Sequence, residues 1–143
     1  IHHAEDVMIT GFMKVFTNLK HFEHKGSFEG WIRRIMVYEC IDFLRVKKNN
    51  FNHQDIDDVT VSENESVYEM EDFSVDDIQN MIDNLPDGYK MVFNLYAIEG
   101  YKHQEIAEML KISEGTSKSQ LSHARKLLQQ QITDLKNKLN GTK

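Results

Sequence analysis

The sequence has almost none of the residues that break helices or staple small folds. Across 143 residues there are one proline, one cysteine and seven glycines. A lone cysteine, Cys40, closes no internal disulfide and builds no thiolate metal site by itself, which sets aside disulfide scaffolds. A reduced thiol fits a cytoplasmic setting. No apolar run approaches the roughly 20 residues that cross a bilayer, and no signal-peptide pattern opens the chain, so no membrane insertion is expected. Sparse proline and glycine beside abundant Leu, Lys, Gln and Glu argue for an all-α fold over a sandwich or barrel. The seven histidines show no metal-ligand spacing, there is no Gly-rich phosphate loop, and no motif suggests a Ser-His-Asp group. No enzyme, no metal and no cofactor are therefore expected.

What is present is charge, and its signs are segregated. The formal net charge is −6, from 17 Lys and Arg against 23 Asp and Glu. Twelve of those acids lie between Asp55 and Asp87, a stretch without Lys or Arg, which leaves 17 basic against 11 acidic residues elsewhere. From Lys111 to Lys143 there are seven basic and two acidic side chains. An acidic average therefore does not exclude a polyanion partner, because binding follows the local field. The acidic stretch reads either as a solubilising linker or as a segment that repels nucleic acid or covers a basic surface.

Apolar periodicity divides the chain into helices. From Ala4 to Leu19 the residues Val7, Met8, Phe12, Val15, Phe16 and Leu19 recur at three- and four-residue steps and predict one buried stripe. Residues 20–27 read as a loop. Ser27 caps a second predicted helix, from Phe28 to about Lys48, with an apolar arc of Phe28, Trp31, Ile32, Ile35, Met36, Cys40, Phe43 and Leu44. Residues 51–73 lack sustained periodicity and form an acidic linker, with one short helix near Glu65 to Met70. Ser74 caps a third helix. Pro86 opens a fourth that runs to about Glu99, where Gly100 supplies a left-handed stop. A fifth spans His103 to Leu110, and a sixth starts at Glu114 behind the cap Ser113 and reaches about Lys138. Three domains follow: 1–50, the linker 51–73, and 74–143.

Two helices joined by a tight turn, the second long and basic, form the helix-turn-helix pattern. Ala107 permits close approach, and Ile106, Leu110, Ile112 and Leu121 fill the core between them. The outward face of the second helix offers Thr116, Lys118, Ser119, Gln120, Ser122, His123 and Arg125. These are short hydrogen-bonding groups mixed with cations, the types that read base edges and hold phosphates. A plain helical hairpin with a solvated polar face would show the same periodicity.

Three stretches carry a resemblance to a known family. AEDVMITGFMKVFTNLKHF resembles region 2.2 of the sigma-70 family of RNA polymerase sigma factors, in its extracytoplasmic-function group. KGSFEGWIRRIMVYECIDFLRVKKN resembles regions 2.3 and 2.4, including the tryptophan followed two residues later by basic positions and the Ile-Asp-x-Leu-Arg ending. IQNMIDNLPDGYKMVFNLYAIEGYKHQEIAEMLKISEGTSKSQLSHARKLL resembles region 4. Together they cover most of the chain in the family's order, around a variable linker. The chain departs from the pattern at Ile9-Thr10-Gly11, where a Gln-Glu type pair is usual, and at Ser117, where Val is usual. Near Lys102 it lacks the customary Ser or Thr cap, and His123 replaces a common Arg. Ser117 could return its hydroxyl to the Ser113 carbonyl. Ile1 is no initiator Met, and the family's first region-2 helix is missing, so region 2 is read as partial.

The resemblance implies a transcription initiation factor that binds core RNA polymerase and directs it to promoter DNA, held in check by an anti-sigma factor. The first helix would dock on the polymerase through Asp6, Met8, Phe12 and Phe16, although Phe12 and Phe16 read more simply as core. Phe22, His24, Lys25, Ser27, Trp31, Arg33 and Arg34, with Arg45, Lys47 and Lys48 as a second cluster, would handle the −10 element. Opening a strand there needs a pocket for an unstacked base and cations for phosphates. Trp31 also reads as packed between helices. At the −35 element Lys118, Ser119, Ser122 and His123 would touch bases, while Thr116, Gln120, Arg125 and Lys126 position the backbone. The stripe Leu128, Ile132, Leu135 and Leu139 would either bind the inhibitor or pack back onto its own module. Two rivals share parts of this pattern: a helix-turn-helix regulator that binds duplex DNA without polymerase, and a helical adaptor that touches no DNA.

Overall fold

The computed structural model describes residues 2–47 and 73–141, which gather into two compact units. Among the described residues the regular structure is entirely helical. The linker 51–72, its short helix near Glu65 to Met70, and Lys48 lie outside the described residues.

In the first unit α1 runs His2–Asn18, extended by a 3-10 turn Leu19–His21, and packs on α2, Phe28–Lys47. The buried line of α1 is Val7, Gly11 and Val15, spaced one turn apart, and α2 answers with Ile41. Gly11 sits on this line where the Met36 side chain of α2 fills the space a Cβ would take, so a side chain there would require Met36 to shift. That close approach offsets the helix propensity a glycine forfeits, about 1 kcal/mol against Ala. The expected stripe is corrected accordingly. Met8, Phe12, Phe16 and Leu19 are exposed, so Phe12 and Phe16 are not core. The packed side of α1 is rotated from the apolar stripe because a glycine carries no hydropathy signal. Cys40 is likewise exposed, with its neighbour Ile41 turned inward in its place.

The second unit is built from α3 (Val75–Asp83), α4 (Asp87–Phe93), a π-helical turn (Asn94–Ile98), α5 (His103–Leu110) and α6 (Glu114–Gly141). Local chemistry sets its boundaries. Ser74 and Asp77 form a reciprocal capping box: Ser74 Oγ accepts from the Asp77 N–H at 3.1 Å, and the Asp77 carboxylate accepts from the Ser74 N–H at 3.1 Å. The Ser74 hydroxyl also donates to that carboxylate at 2.7 Å, and this bond, with the one from the Ser74 backbone N–H, lowers the Asp77 pKa below the ordinary carboxylate value. Pro86 stands one residue before α4 rather than inside it. Gly100 takes φ +78, the left-handed value that ends the preceding segment. At Lys102 the Glu105 carboxylate accepts the backbone N–H at 2.8 Å, half of a capping box in a position without Ser or Thr.

α6, with 28 residues and hence about 42 Å long, is the spine of this unit and packs on α4 and α5. Met81, Leu85, Val92, Leu95, Ile106, Met109, Leu121 and Ala124 are buried around it. Beyond Leu128 the helix keeps touching its own unit. Ile132 and Leu135 are half-buried, and the Lys136 ammonium lies 5.7 Å from the centre of the Phe73 ring. Leu139 remains exposed.

Candidate nucleic-acid and polymerase interfaces

The turn between α5 and α6 is tight because Lys111 adopts φ +56, and Ser113 then caps α6 by accepting the Thr116 N–H at 2.9 Å. Thr116 is drawn into the same cap, its hydroxyl 2.8 Å from that of Ser113. One side of α6 is buried through Ser117, Leu121 and Ala124, which leaves Lys118, Ser119, Arg125 and Lys126 exposed and Ser122 half-buried among them. The Lys118 ammonium lies 3.0 Å from the Glu114 carboxylate one turn earlier.

Two expected contact residues are turned elsewhere. The His123 ring stacks on Tyr89 of α4 at 5.3 Å between centroids and 9° between planes. Gln120 packs against Gly88 at the start of α4, where a Cβ would come within 3.1 Å of its Oε1. The side chains of this stretch of α6 without a contact to α4 are therefore Lys118, Ser119, Ser122 and Lys126, flanked by Arg125. The Arg125 guanidinium lies over the Tyr96 ring at 5.8 Å.

Ser117 departs from the expected back-bond. Its hydroxyl lies 2.9 Å from Nδ1 of His103 on α5, while its backbone N–H donates to the Ser113 carbonyl. The His103 ring also stacks on Tyr96 at 4.6 Å. Burial holds the His103 pKa below the ordinary imidazole value, with Lys118 and Arg125 adding to the effect and Glu114 opposing it. Sequence spacing gave no signal for this contact, because its partners are fourteen residues apart on different helices.

In the first unit the loop between the 3-10 turn and α2 gathers an aromatic cluster. Phe22 stands 4.7 Å from His24, 5.2 Å from Phe28 and 5.3 Å from Trp31, and Phe28 stacks on Trp31 at 5.8 Å. The loop reaches this shape through left-handed backbone at His24 (φ +55) and Gly26 (φ +87). Left-handed backbone is uncommon for residues other than glycine, and histidine is among the types that adopt it most readily. Ser27 caps α2, accepting the Gly30 N–H at 3.0 Å. Half-buried Trp31 belongs to this cluster and also lines an open groove of about 380 Å³ between α1 and α2, with Lys14, His21, Arg34 and Tyr38.

Cations of this unit are paired within it. Lys25 is highly exposed and pairs with Glu23. Arg33 lies 3.8 Å from Glu29, Arg34 sits over Tyr38 at 5.8 Å, and Arg45 is 3.5 Å from Asp42. Lys14 is bonded to Glu39 across the two helices, and that hydrogen bond raises its pKa. The side chain of Lys47 lies outside the described residues. On α1, Asp6, Met8, Phe12 and Phe16 are all exposed, Phe16 at 72%. Ile9 and Met13, which periodicity did not single out, are exposed with them, Met13 at 65%.

Fold and surfaces together define an all-α protein of two helical modules, the second a helix-turn-helix reader. Family models agree on both parts: sigma-70 region 2 matches residues 1–50, and sigma-70 region 4 matches residues 75–128. The extracytoplasmic-function sigma factor SigW of Bacillus subtilis is 31% identical over 94% of this chain and 78% of its own length. SigE of Mycolicibacterium smegmatis is 29% identical over 89% of this chain, which spans only 51% of that relative. The fold resembles that of the sigma factor RpoE of Bartonella quintana, solved with the anti-sigma factor NepR, at a TM-score of 0.57 and 24% identity over 90% of this chain and 80% of the other. The chain belongs to the sigma-70 family of RNA polymerase sigma factors, in the extracytoplasmic-function group. It is a transcription initiation factor that works with core RNA polymerase. Its relatives are transcription factors rather than enzymes. Among the described residues no helix is long and apolar enough to cross a membrane.

Proposed function

We propose that the two modules divide the promoter between them, the segments 1–50 and 74–143 being joined by the acidic linker 51–73. The first module takes the polymerase on α1, through Asp6, Met8, Phe12 and Phe16 with Ile9 and Met13 added, and the −10 element on the loop and α2. Phe22, His24, Lys25, Ser27, Trp31, Arg33 and Arg34 serve there, with Arg45, Lys47 and Lys48 further along. The exposed apolar face of α1 is the single observation that carries this reading. Phe12 and Phe16 stand exposed on that face, and fully burying one such ring against a partner is worth about 1.5–3 kcal/mol.

The second module takes the −35 element. Lys118, Ser119 and Ser122 face outward for base edges, and Arg125 and Lys126 suit phosphates. Thr116 acts through the cap, and Gln120 and His123 act by holding α6 against α4. No covalent chemistry is assigned to any residue. The setting is the cytoplasm, where the polymerase works. An anti-sigma factor of the kind bound to the Bartonella relative is the partner that would hold the chain inactive, and the apolar face of α1 is a surface it could cover.

A gel shift with and without core polymerase tests the reading. The full chain should retard a promoter duplex strongly only when polymerase is present. Tight, polymerase-independent binding to a palindromic duplex would instead identify a dimeric regulator, and no retardation under either condition an adaptor.

A further inference from the structure

The contact between His103 and Ser117 has a consequence for how α6 is held. Ser117 is 0% exposed, on the inner side of α6, and its hydroxyl meets His103 Nδ1 at 2.9 Å. A buried hydroxyl without a partner is costly, so this bond ties α5 to α6 at one defined distance and angle. Apolar packing alone tolerates sliding and rotation, whereas a hydrogen bond weakens steeply once misaligned. The contacts then continue. The His103 ring lies against Tyr96 of the π-helical turn at 4.6 Å, and the Arg125 guanidinium lies over that same Tyr96 ring. A path that leaves α6 at Ser117 thus returns to it at Arg125, two turns further along, after touching α5 and the π-helical turn.

We infer that His103 is a positioning residue for −35 recognition: through Ser117 and Tyr96 it sets the angle of α6 and the placement of Arg125 on the duplex. This rests on the assignment of α6 to the −35 element. The neutral ring can accept the Ser117 hydroxyl proton at Nδ1. The charged ring must donate there, which leaves the Ser113 carbonyl to take the serine proton. The groups facing His103 are Glu114, Ser117, Lys118 and Arg125 from α6 and Tyr96 from the π-helical turn. Phosphates brought against Lys118 and Arg125 would relieve the repulsion that disfavours the charged ring. Duplex binding would then raise the affinity of His103 for a proton. By linkage, grip on the −35 element strengthens as pH falls through the bound-state value and levels off below the free-state value.

The test uses the full chain assembled on core polymerase. The probes are a duplex selected by the wild-type holoenzyme from a randomised −35 library and a scrambled duplex of equal length. Affinities are measured from about pH 8 to about pH 5.5. His103→Phe should lower the preference for the selected duplex about fivefold or more, since one lost positioning contact is worth on the order of a factor of ten. The pair His103→Phe with Ser117→Val guards against misfolding, because it replaces both polar partners and restores the apolar residue usual in the family. It should keep a wild-type melting temperature yet bind with a flatter pH profile than wild type. His103→Asn, which can still reach Ser117 but cannot titrate, should recover part of the preference and share the flat profile. If the double variant matches wild type in both preference and pH profile, the inference is overturned while the −35 assignment stands. If wild type itself shows no preference, or Lys118→Ala leaves it unchanged, the −35 assignment fails and takes the inference with it.

Discussion

The two modules bury themselves differently. Among the described residues of the first, Val7 and Val15 of α1 and Ile41 of α2 are the buried hydrophobic side chains, while Met8, Ile9, Phe12, Met13 and Phe16 of α1 are exposed. In the second, six apolar side chains, Met81, Leu85, Val92, Leu95, Ile106 and Met109, are buried with Leu121 and Ala124 of α6, and Ile106 is wholly buried. Among the described residues the first module thus leaves more of its apolar side chains exposed than the second does. Substitutions of similar chemistry should therefore act oppositely in the two halves. In the first they should break binding and spare stability, and in the second the reverse.

The largest expected effect is Ile106→Ala. It removes a wholly buried side chain between α5 and α6 and should destabilise the second module by about 2–5 kcal/mol, read in thermal unfolding. The counterpart, Phe16→Ser, should lower affinity for core polymerase by about tenfold while shifting stability by no more than about 0.5 kcal/mol. Titration of both variants against core polymerase, beside their melting curves, checks the contrast. A Phe16→Ser chain that melts like Ile106→Ala would erase it.

Lys118→Ala comes next, and should weaken −35 binding by about 1–3 kcal/mol if the ammonium reads a guanine. A loss equal on all sequences, with a shallower salt dependence, would make it a phosphate contact. Ser74→Ala should cost the second module about 1 kcal/mol by removing one side of the capping box. The smallest effect is acidification in the absence of DNA. The folded-state pKa of His103 lies below the ordinary 6.5, so folding favours the neutral ring. Stability of the second module is then fully present above the unfolded-state value and lost as pH falls through the folded one. Unfolding midpoints of wild type and the His103→Phe, Ser117→Val pair, compared across that window, should separate only on the acid side.

The contrast between the modules also explains what could be read before the structure. Helix boundaries in the second half rest on local chemistry, at Ser74, Gly100 and Ser113, and these residues act as their types predict. The aromatic loop and the outward cations of α6 were likewise legible as residue types at helical spacing. The burial of α1 was not. Periodicity reports that Phe12 and Phe16 share a stripe, but an interface stripe and a core stripe have the same period. Gly11, the residue that reveals the packed side, has no side chain to count. His103 and Ser117 escaped for a different reason: their bond depends on how two helices cross, and a polar residue in a buried position gives no hint of its partner. The contacts of His123 with Tyr89 and of Gln120 with Gly88 depend on the placement of α4, which spacing along α6 does not report.

Run-off transcription by core polymerase supplied with the full chain, on a library of randomised promoters, tests the central claim most directly. The account predicts transcripts that start from templates sharing two short elements at fixed separation, with Phe16→Ser weakening the signal about tenfold at sub-saturating concentration and Lys118→Ala blurring only the upstream element. Transcripts without shared elements, or selection that survives Phe16→Ser intact, would contradict it.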